Sequence, residues 1–379
     1  MRIGFDATNI LGHGGIKTYA RELIRGLAEE YIDDTFVLLT TFSGSKKRAL
    51  ERLFADLPNV TVHKALPHRN MLGNGLSFIT KYLSSIFWWL FSRDLDTVHL
   101  TDPFGVPVLP KKFVATINDI FPLALDESSG LKNFYLKRTP EILEKASAVI
   151  TPSIYIKDML ADYYPESDRS IKPIPDAASD EFHPRSRSID ILNRYGLDEK
   201  SYFLFVGRVD ARKNIPGIIT AYLELPEGIR SSTCLALVLS GRPPDIDDFM
   251  KHFAHLLEGN GIIYLRDVPP RDLFGLYSSA LGFVFPTLDE GFGLPVLEAM
   301  QSGCPVISSN LSCIPEIAGN AAILVDPLDT SEISLSMRLL AESPRKRDEL
   351  SKKGLQQSRL YSWRRTAMET MEIYRSVVR

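Results

Sequence analysis

The run Pro286-Thr-Leu-Asp-Glu-Gly-Phe-Gly-Leu-Pro-Val-Leu-Glu-Ala-Met-Gln-Ser-Gly-Cys-Pro305 decides how this chain is read. Two carboxylates, Glu290 and Glu298, bracket seven residues that hold a Gly-Phe-Gly-Leu-Pro turn. A strand, Leu281–Phe285, leads into the turn, and a helix follows it. Pro295 suits the first helical position, where a missing N–H costs nothing. Gly303 ends the helix and Pro305 keeps it from resuming. Gly291 and Gly293 let backbone amides approach a ligand, and the helix start adds a positive dipole end suited to phosphate. One carboxylate thus precedes the turn and the other falls in the first helical turn. Such a pair can grip hydroxyl groups of a sugar nucleotide while the amides face its charged middle. The bland alternative makes Glu298 a favourable acid at a helix start and Glu290 a loop charge. The glycines, prolines and Glu-Ala-Met around them favour the ligand-binding reading.

Outward from this run the chain alternates strand and helix. In the first half Arg2–Thr8, Phe36–Thr41, Val60–His63, Thr97–Leu100, Val114–Ile117, Ala148–Thr151 and Ile171–Ile174 read as strands. Helical patterns such as Ile16–Glu30 and Leu131–Lys145 lie between most of them. Around Pro173–Arg187 the pattern dissolves into Pro, Asp, Ser and Arg, a natural linker. A second series follows: Tyr202–Val206, Leu235–Ser240, Ile262–Leu265, Leu281–Phe285, Val306–Ser308 and Ala322–Val325. Alternation of this kind predicts α/β architecture with two mostly parallel, doubly wound sheets, whose ligands bind at the carboxyl ends of the strands. Helical sequence closes the chain, with Ser362 as an N-cap ahead of Trp363.

At 379 residues the chain is long enough for two domains, each with its own core. A net charge of −3 gives no support for nucleic-acid binding. Three cysteines, Cys234, Cys304 and Cys313, lack metal-ligand spacing and point to free thiols in a reducing compartment. Met1-Arg-Ile-Gly-Phe-Asp6 reads as a first strand rather than a signal peptide, and no apolar run reaches the roughly 20 residues that span a bilayer. The aromatic-rich segment Leu76–Phe91 reads as a helix packed on its own domain. Its sharper alternative is an interfacial contact, since Trp88 and Trp89 suit a headgroup boundary.

The Glu290…Glu298 segment resembles the Glu-x7-Glu signature of the retaining glycosyltransferases of family four. The resemblance implies the GT-B fold: two Rossmann-like doubly wound domains facing each other across a cleft. Residues 1–180 would form the N-terminal, acceptor-side domain and 181–361 the C-terminal, nucleotide-sugar-binding domain, with helix 362–379 packing back on the first. Carried over, Glu290 contacts the hydroxyls of the donor sugar and Glu298 holds the ribose, with Gly291, Phe292, Gly293 and Leu294 forming the donor loop between them. Phe203-Leu-Phe-Val-Gly-Arg-Val-Asp-Ala-Arg-Lys-Asn-Ile215 is similar to the family's Gly-Arg…Lys-Asn element, placing Arg208 and Lys213, after the Gly207 turn, on the donor diphosphate. Two cations there stabilise charge that grows on the departing nucleotide, an interaction that strengthens in the transition state. Gly14 and Gly15 resemble the paired glycines after the family's first strand. Phe113-Val-Ala-Thr-Ile-Asn-Asp119 resembles an element that usually reads His-Asp: Asp119 is retained, but Asn118 stands at the His position and cannot titrate. Ser153 matches a recurrent position near the cleft and is equally an N-cap. Val268, within Arg266-Asp-Val-Pro-Pro-Arg-Asp-Leu273, lies in a segment resembling the loop whose backbone reads the nucleobase.

Other patterns fail. Gly12-His-Gly-Gly-Ile-Lys-Thr18 lacks the Gly directly before Lys that a Walker loop needs, and Lys17 stands where the dinucleotide fingerprint wants Gly. Asp245-Ile-Asp-Asp248 mimics a metal-binding Asp-x-Asp but more simply supplies a helix's acidic first turn. His252 and His255 have no third ligand nearby, so no metal and no cofactor is expected. The resemblance therefore implies a metal-independent, retaining, mannosyltransferase-like enzyme of the cytoplasm or the inner membrane face. It would move a hexose from GDP-mannose, or next a UDP-linked sugar, to a glycan or lipid-linked glycan in surface polysaccharide or glycolipid synthesis. An epimerase or phosphorylase on the same fold, and a non-catalytic sugar-nucleotide-binding protein, are the competing classes.

Overall fold

The computed structural model describes residues 1–379 apart from 9, 12–13, 41–42, 65–85, 87–89, 107, 125–128, 167–169, 186–188, 198–200, 258 and 379. Most of Leu76–Phe91, on which both readings of that segment rest, and the first two residues of Gly12–Thr18 therefore lie outside the described residues. Two compact units make up the chain: Met1–Asp176 joined by Ser362–Arg379, and Ala177–Tyr361.

The first unit is built on seven strands, β1 (Arg2–Asp6), β2 (Thr35–Thr40), β3 (Val60–Lys64), β4 (Thr97–Leu100), β5 (Phe113–Thr116), β6 (Ala148–Thr151) and β7 (Ile171–Pro173). Their order is β3-β2-β1-β4-β5-β6-β7, and every pair is parallel. The central strands β4, β5 and β6 are buried along their whole length, as parallel strands covered on both faces are, whereas the edge strands β3 and β7 expose Thr61, His63 and Lys172. In β2, Phe36 and Leu38 enter one core, with Leu23 and Leu27 of the helix Gly15–Glu30, while Val37 and Leu39 enter the other. Strand β1 stops two residues earlier than its composition suggests. The Asp6 carboxylate turns back to accept from Thr8 N at 3.0 Å and Thr8 Oγ1 at 2.8 Å, closing an Asx turn.

The closing helix, Trp363–Val378, belongs to this unit and buries Ala367, Met371 and Tyr374 against Gly15–Glu30. Close approach needs Gly26: a Cβ there would lie 3.0 Å from the Trp363 carbonyl. Beneath the helix Tyr374 Oη meets His99 Nδ1 at 2.5 Å, and His99 Nε2 meets Thr116 Oγ1 at 2.8 Å. Burial pushes His99 down to about 3, so it is a neutral core imidazole.

The second unit carries β8 (Ser201–Arg208), β9 (Thr233–Ser240), β10 (Ile262–Leu265), β11 (Gly282–Phe285), β12 (Val306–Ser309) and β13 (Ala322–Val325), all parallel, in the order β10-β9-β8-β11-β12-β13. The winding reverses between β8 and β11, and ligands of such sheets bind beyond the carboxyl ends at that reversal. The helix after β11 runs Leu294–Gln301. It ends in a Schellman motif, with Gly303 (φ +73°) donating to Met300 O and Cys304 to Ala299 O.

Two details of that helix correct the sequence reading. Gly293 adopts φ +89° and takes the N-cap, so the helix begins at Leu294 and Pro295 is its second residue. Glu298 is then the fifth, beyond the first turn, and the dipole explanation of its presence lapses.

Candidate active site

Strand β8 runs buried from Tyr202 to Phe205 and surfaces at Arg208. Gly207 is required at its end, since a Cβ would sit 2.7 Å from the Phe205 ring. Asp210 then caps a single 3-10 turn, Ala211–Lys213, by accepting from Arg212 N at 3.0 Å. Asn214 holds a left-handed conformation (φ 51°) and donates to Pro286 O at 3.2 Å and Pro327 O at 2.6 Å. A left-handed non-glycine residue is costly, and these two bonds hold it there.

The loop after β11 is tied to the same turn. Thr287 Oγ1 and Leu288 N both donate to the Arg212 carbonyl, at 2.8 and 2.7 Å. Two segments some 75 residues apart are thereby joined at the sheet's reversal, and Lys213 forms an ion pair with Glu290. Both side chains are largely buried, and the ammonium also lies 5.1 Å from the Phe285 ring centroid. A Lys–Glu pair with so little water around it interacts far more strongly than a surface pair.

Beyond Glu290 the chain passes Gly291 and Phe292, whose ring is 5% exposed and packs edge-on against Tyr361. At Gly293 a Cβ would approach Ile314 Cδ1 to 2.8 Å, so close packing and positive φ both demand glycine. Glu298 is enclosed on most sides yet partly open to solvent. Its Oε2 accepts from Tyr277 Oη at 3.0 Å. Burial lifts this carboxyl to about 7, while the Tyr277 hydroxyl pulls the other way.

Other residues singled out in the sequence are distributed as follows. Arg208 is exposed at the end of β8 and acts electrostatically on Asp245, itself paired with Arg242 in the first turn of the helix Pro243–Leu257. Val268 follows β10, two strands from β8 on the side away from β11. In the first unit, Gly14 (φ +123°) caps the helix Gly15–Glu30, and both glycines are exposed, with open space where a Cβ would stand. Asn118, just past β5, donates to Thr101 O at 3.0 Å, and Asp119 beside it is half-buried. Ser153 is buried and caps the helix Ile154–Tyr163, accepting from Ile156 N at 3.3 Å. No group of His, Cys, Asp or Glu among the described residues could hold a metal.

Three residues escaped the sequence reading. Asp6 is 3% exposed and pushed by burial to about 6; the nearby Asp102, beyond β4, adds to the rise. These two acids mark the reversal between β1 and β4 in the first sheet. Asp176 is buried, with Oδ1 lacking a hydrogen-bond partner, and is raised to about 8. Tyr277 joins Glu298 from a helix 21 residues upstream, a pairing that periodicity does not reveal.

Two parallel α/β sheets with a cation–carboxylate pair at the reversal of the second are the frame of a GT-B glycosyltransferase. Residues 190–357 match the family profile of the glycosyl transferases group 1, and residues 13–181 match that of Glycosyltransferase Family 4. The chain is 30% identical over 292 residues to the O-antigen chain mannosyltransferase B of Escherichia coli, covering 76% of each protein. It is 28% identical over 273 residues to the serotype-specific mannosyltransferase WbdA of E. coli, spanning 70% of this chain but only 33% of WbdA. The crystal structure of Anabaena HepE with UDP-glucose superposes with a TM-score of 0.74 at 16% identity, covering 99% of this chain and 100% of that one. The chain belongs to glycosyltransferase family 4.

Proposed function

We propose that this glycosyltransferase moves a hexose, mannose in the first instance, from a nucleoside-diphosphate sugar to a glycan or lipid-linked glycan acceptor, with retention and without a metal. The observation that carries the reading is the Lys213–Glu290 pair at the reversal of the second sheet. Relatives named as O-antigen mannosyltransferases support mannose, and the UDP-glucose held by HepE supports a nucleotide-sugar donor.

In this proposal Lys213 and Arg208 neutralise the diphosphate as the glycosidic bond breaks. A charge-assisted hydrogen bond contributes about 1.5–3 kcal/mol, and about 1.4 kcal/mol is tenfold in rate, so two cations supply several powers of ten. Glu290 exchanges the ammonium for sugar hydroxyls when the donor enters, and Glu298 accepts from the ribose. Gly291, Phe292, Gly293 and Leu294 shape the donor loop, and Val268 lies in the segment that reads the base. In the first unit Gly14, Gly15, Asn118 and Asp119 are the candidate contacts to substrate, whereas Ser153 is a buried helix cap. The sequence motifs offer no evident second carboxylate as a nucleophile. Same-face attack, with a leaving phosphate oxygen taking the acceptor's proton, is the economical route to retention.

Thermal-shift titration with GDP, UDP and their sugar conjugates tests the donor assignment, because a ligand bound only by the native state raises the melting temperature. GDP-mannose is expected to give the largest shift, unchanged by EDTA. A shift confined to other nucleotides, or one abolished by EDTA, contradicts the assignment.

A further inference from the structure

Tyr277 lies on the helix Pro270–Ser279 and is wholly buried. Its ring is gripped edge-on by Phe182, at 5.7 Å between centroids, and by Phe283, at 5.2 Å. The backbone beneath it is fixed as well, since Tyr202 Oη of β8 donates to the Leu276 carbonyl at 2.6 Å. A phenylalanine would fill this space without burying a hydroxyl, and a buried hydroxyl is costly unless it is bonded. Here it donates to Glu298 Oε2.

We propose that Tyr277 is a positioning residue for donor binding: its rigidly held hydroxyl occupies one oxygen of Glu298 and aims the other at the vicinal diol of the nucleotide's ribose. This rests on the donor-site reading above and adds to it a residue outside the Glu-x7-Glu segment. Glu298 is partly open to solvent whereas Tyr277 is not, and in this proposal the oxygen that Tyr277 does not hold is the one left for the ligand. The same bond favours the carboxylate over the acid. Burial and the Tyr277 hydroxyl are the influences on its ionisation. The Cys304 thiol, past the end of the helix Leu294–Gln301, acts on Tyr277 and not on Glu298. The neighbouring helix Pro344–Ser358 meets that helix through Gly354 against Met300.

The test is donor KM as a function of pH in four proteins: wild type, Tyr277→Phe, Glu298→Gln and the double variant, with nucleotide affinity measured calorimetrically alongside. In the wild type, KM is expected to rise as pH falls through about 7, where Glu298 takes up a proton. Removing the hydroxyl should raise KM about tenfold and move that limb to higher pH by about one unit. Glu298→Gln should abolish the limb, and adding Tyr277→Phe to it should change KM by less than about twofold. A merely structural tyrosine would lower stability and leave the limb in place; that result, or full additivity in the double variant, overturns the proposal. Failure of the wild type to bind any nucleoside diphosphate overturns the donor-site reading and this role with it.

Discussion

The ion pair between Lys213 and Glu290 gives the site its character, because each is nearly out of water and each needs a partner. In the proposed mechanism a diphosphate replaces Glu290 at Lys213, and the stabilisation grows as the leaving group gains charge. Lys213→Ala is therefore expected to lower kcat about a hundredfold with a smaller change in donor KM. Glu298→Ala, which in the proposed role removes an interaction common to ground and transition states, should raise donor KM about tenfold and affect kcat less. Steady-state kinetics of the two variants checks this; equal losses in both parameters for both would contradict the roles. A second residue-scale prediction concerns Asp176. Its folded pKa, about 8, lies far above that of an unfolded aspartate, so the folded state holds a proton that the unfolded state has lost. Stability from this group is full below about pH 4 and drains away as pH rises toward 8, by at most about 1.4 kcal/mol per unit. Asp176→Asn should flatten the decline of melting temperature between pH 5.5 and 8 relative to wild type; parallel slopes would exclude it. Glu290 and Glu298 stood out in the sequence because glycine and proline punctuate the run around them. Asp176 and Tyr277 did not: their significance arises from burial and from partners distant in the chain.

Among the elements, the turn from β11 into the helix Leu294–Gln301 carries the proposed donor loop. Gly293 caps it at φ +89°, with Ile314 pressed against the position a Cβ would take. Gly293→Ala pays about 1–2 kcal/mol for the left-handed backbone alone, and the overlap with Ile314 adds to that. The melting temperature should fall by about 3–8 °C and donor KM should rise, since both the amides and Glu298 hang from this turn. A variant as stable as wild type would show that the loop relaxes freely. Strand positions and order of types were readable because parallel strands buried on both faces are short apolar runs. Their ends were less so. Asp6 ends β1 through its side-chain bonds to Thr8, and Gly293 starts its helix a residue early; both are local polar or conformational effects that hydrophobic patterning does not carry.

For the molecule as a whole, two sheets with the same winding are each completed differently. The first unit requires the chain's last helix, which supplies Ala367, Met371 and Tyr374 to a core otherwise formed before residue 175. Deleting residues 362–379 should therefore abolish cooperative melting of the first unit, exposing Tyr19 and Leu23 and depriving His99 Nδ1 of its Tyr374 partner, while the second unit retains nucleoside-diphosphate binding. Calorimetric unfolding with and without GDP distinguishes this from a uniform loss, which would show the two units to fold as one. That a closing helix returns to the first unit followed from resemblance to the family, whereas the close contact at Gly26 that permits it had no sequence signature beyond one small residue. The most direct measurement is product analysis with GDP-mannose and a glycan acceptor in EDTA, resolving nucleotide, sugar and anomeric configuration together. Release of GDP in step with mannose gained by the acceptor in α-linkage is expected of the proposed transfer, with near-complete loss of both in Lys213→Ala. Donor consumed without free GDP, or an inverted linkage, would contradict it.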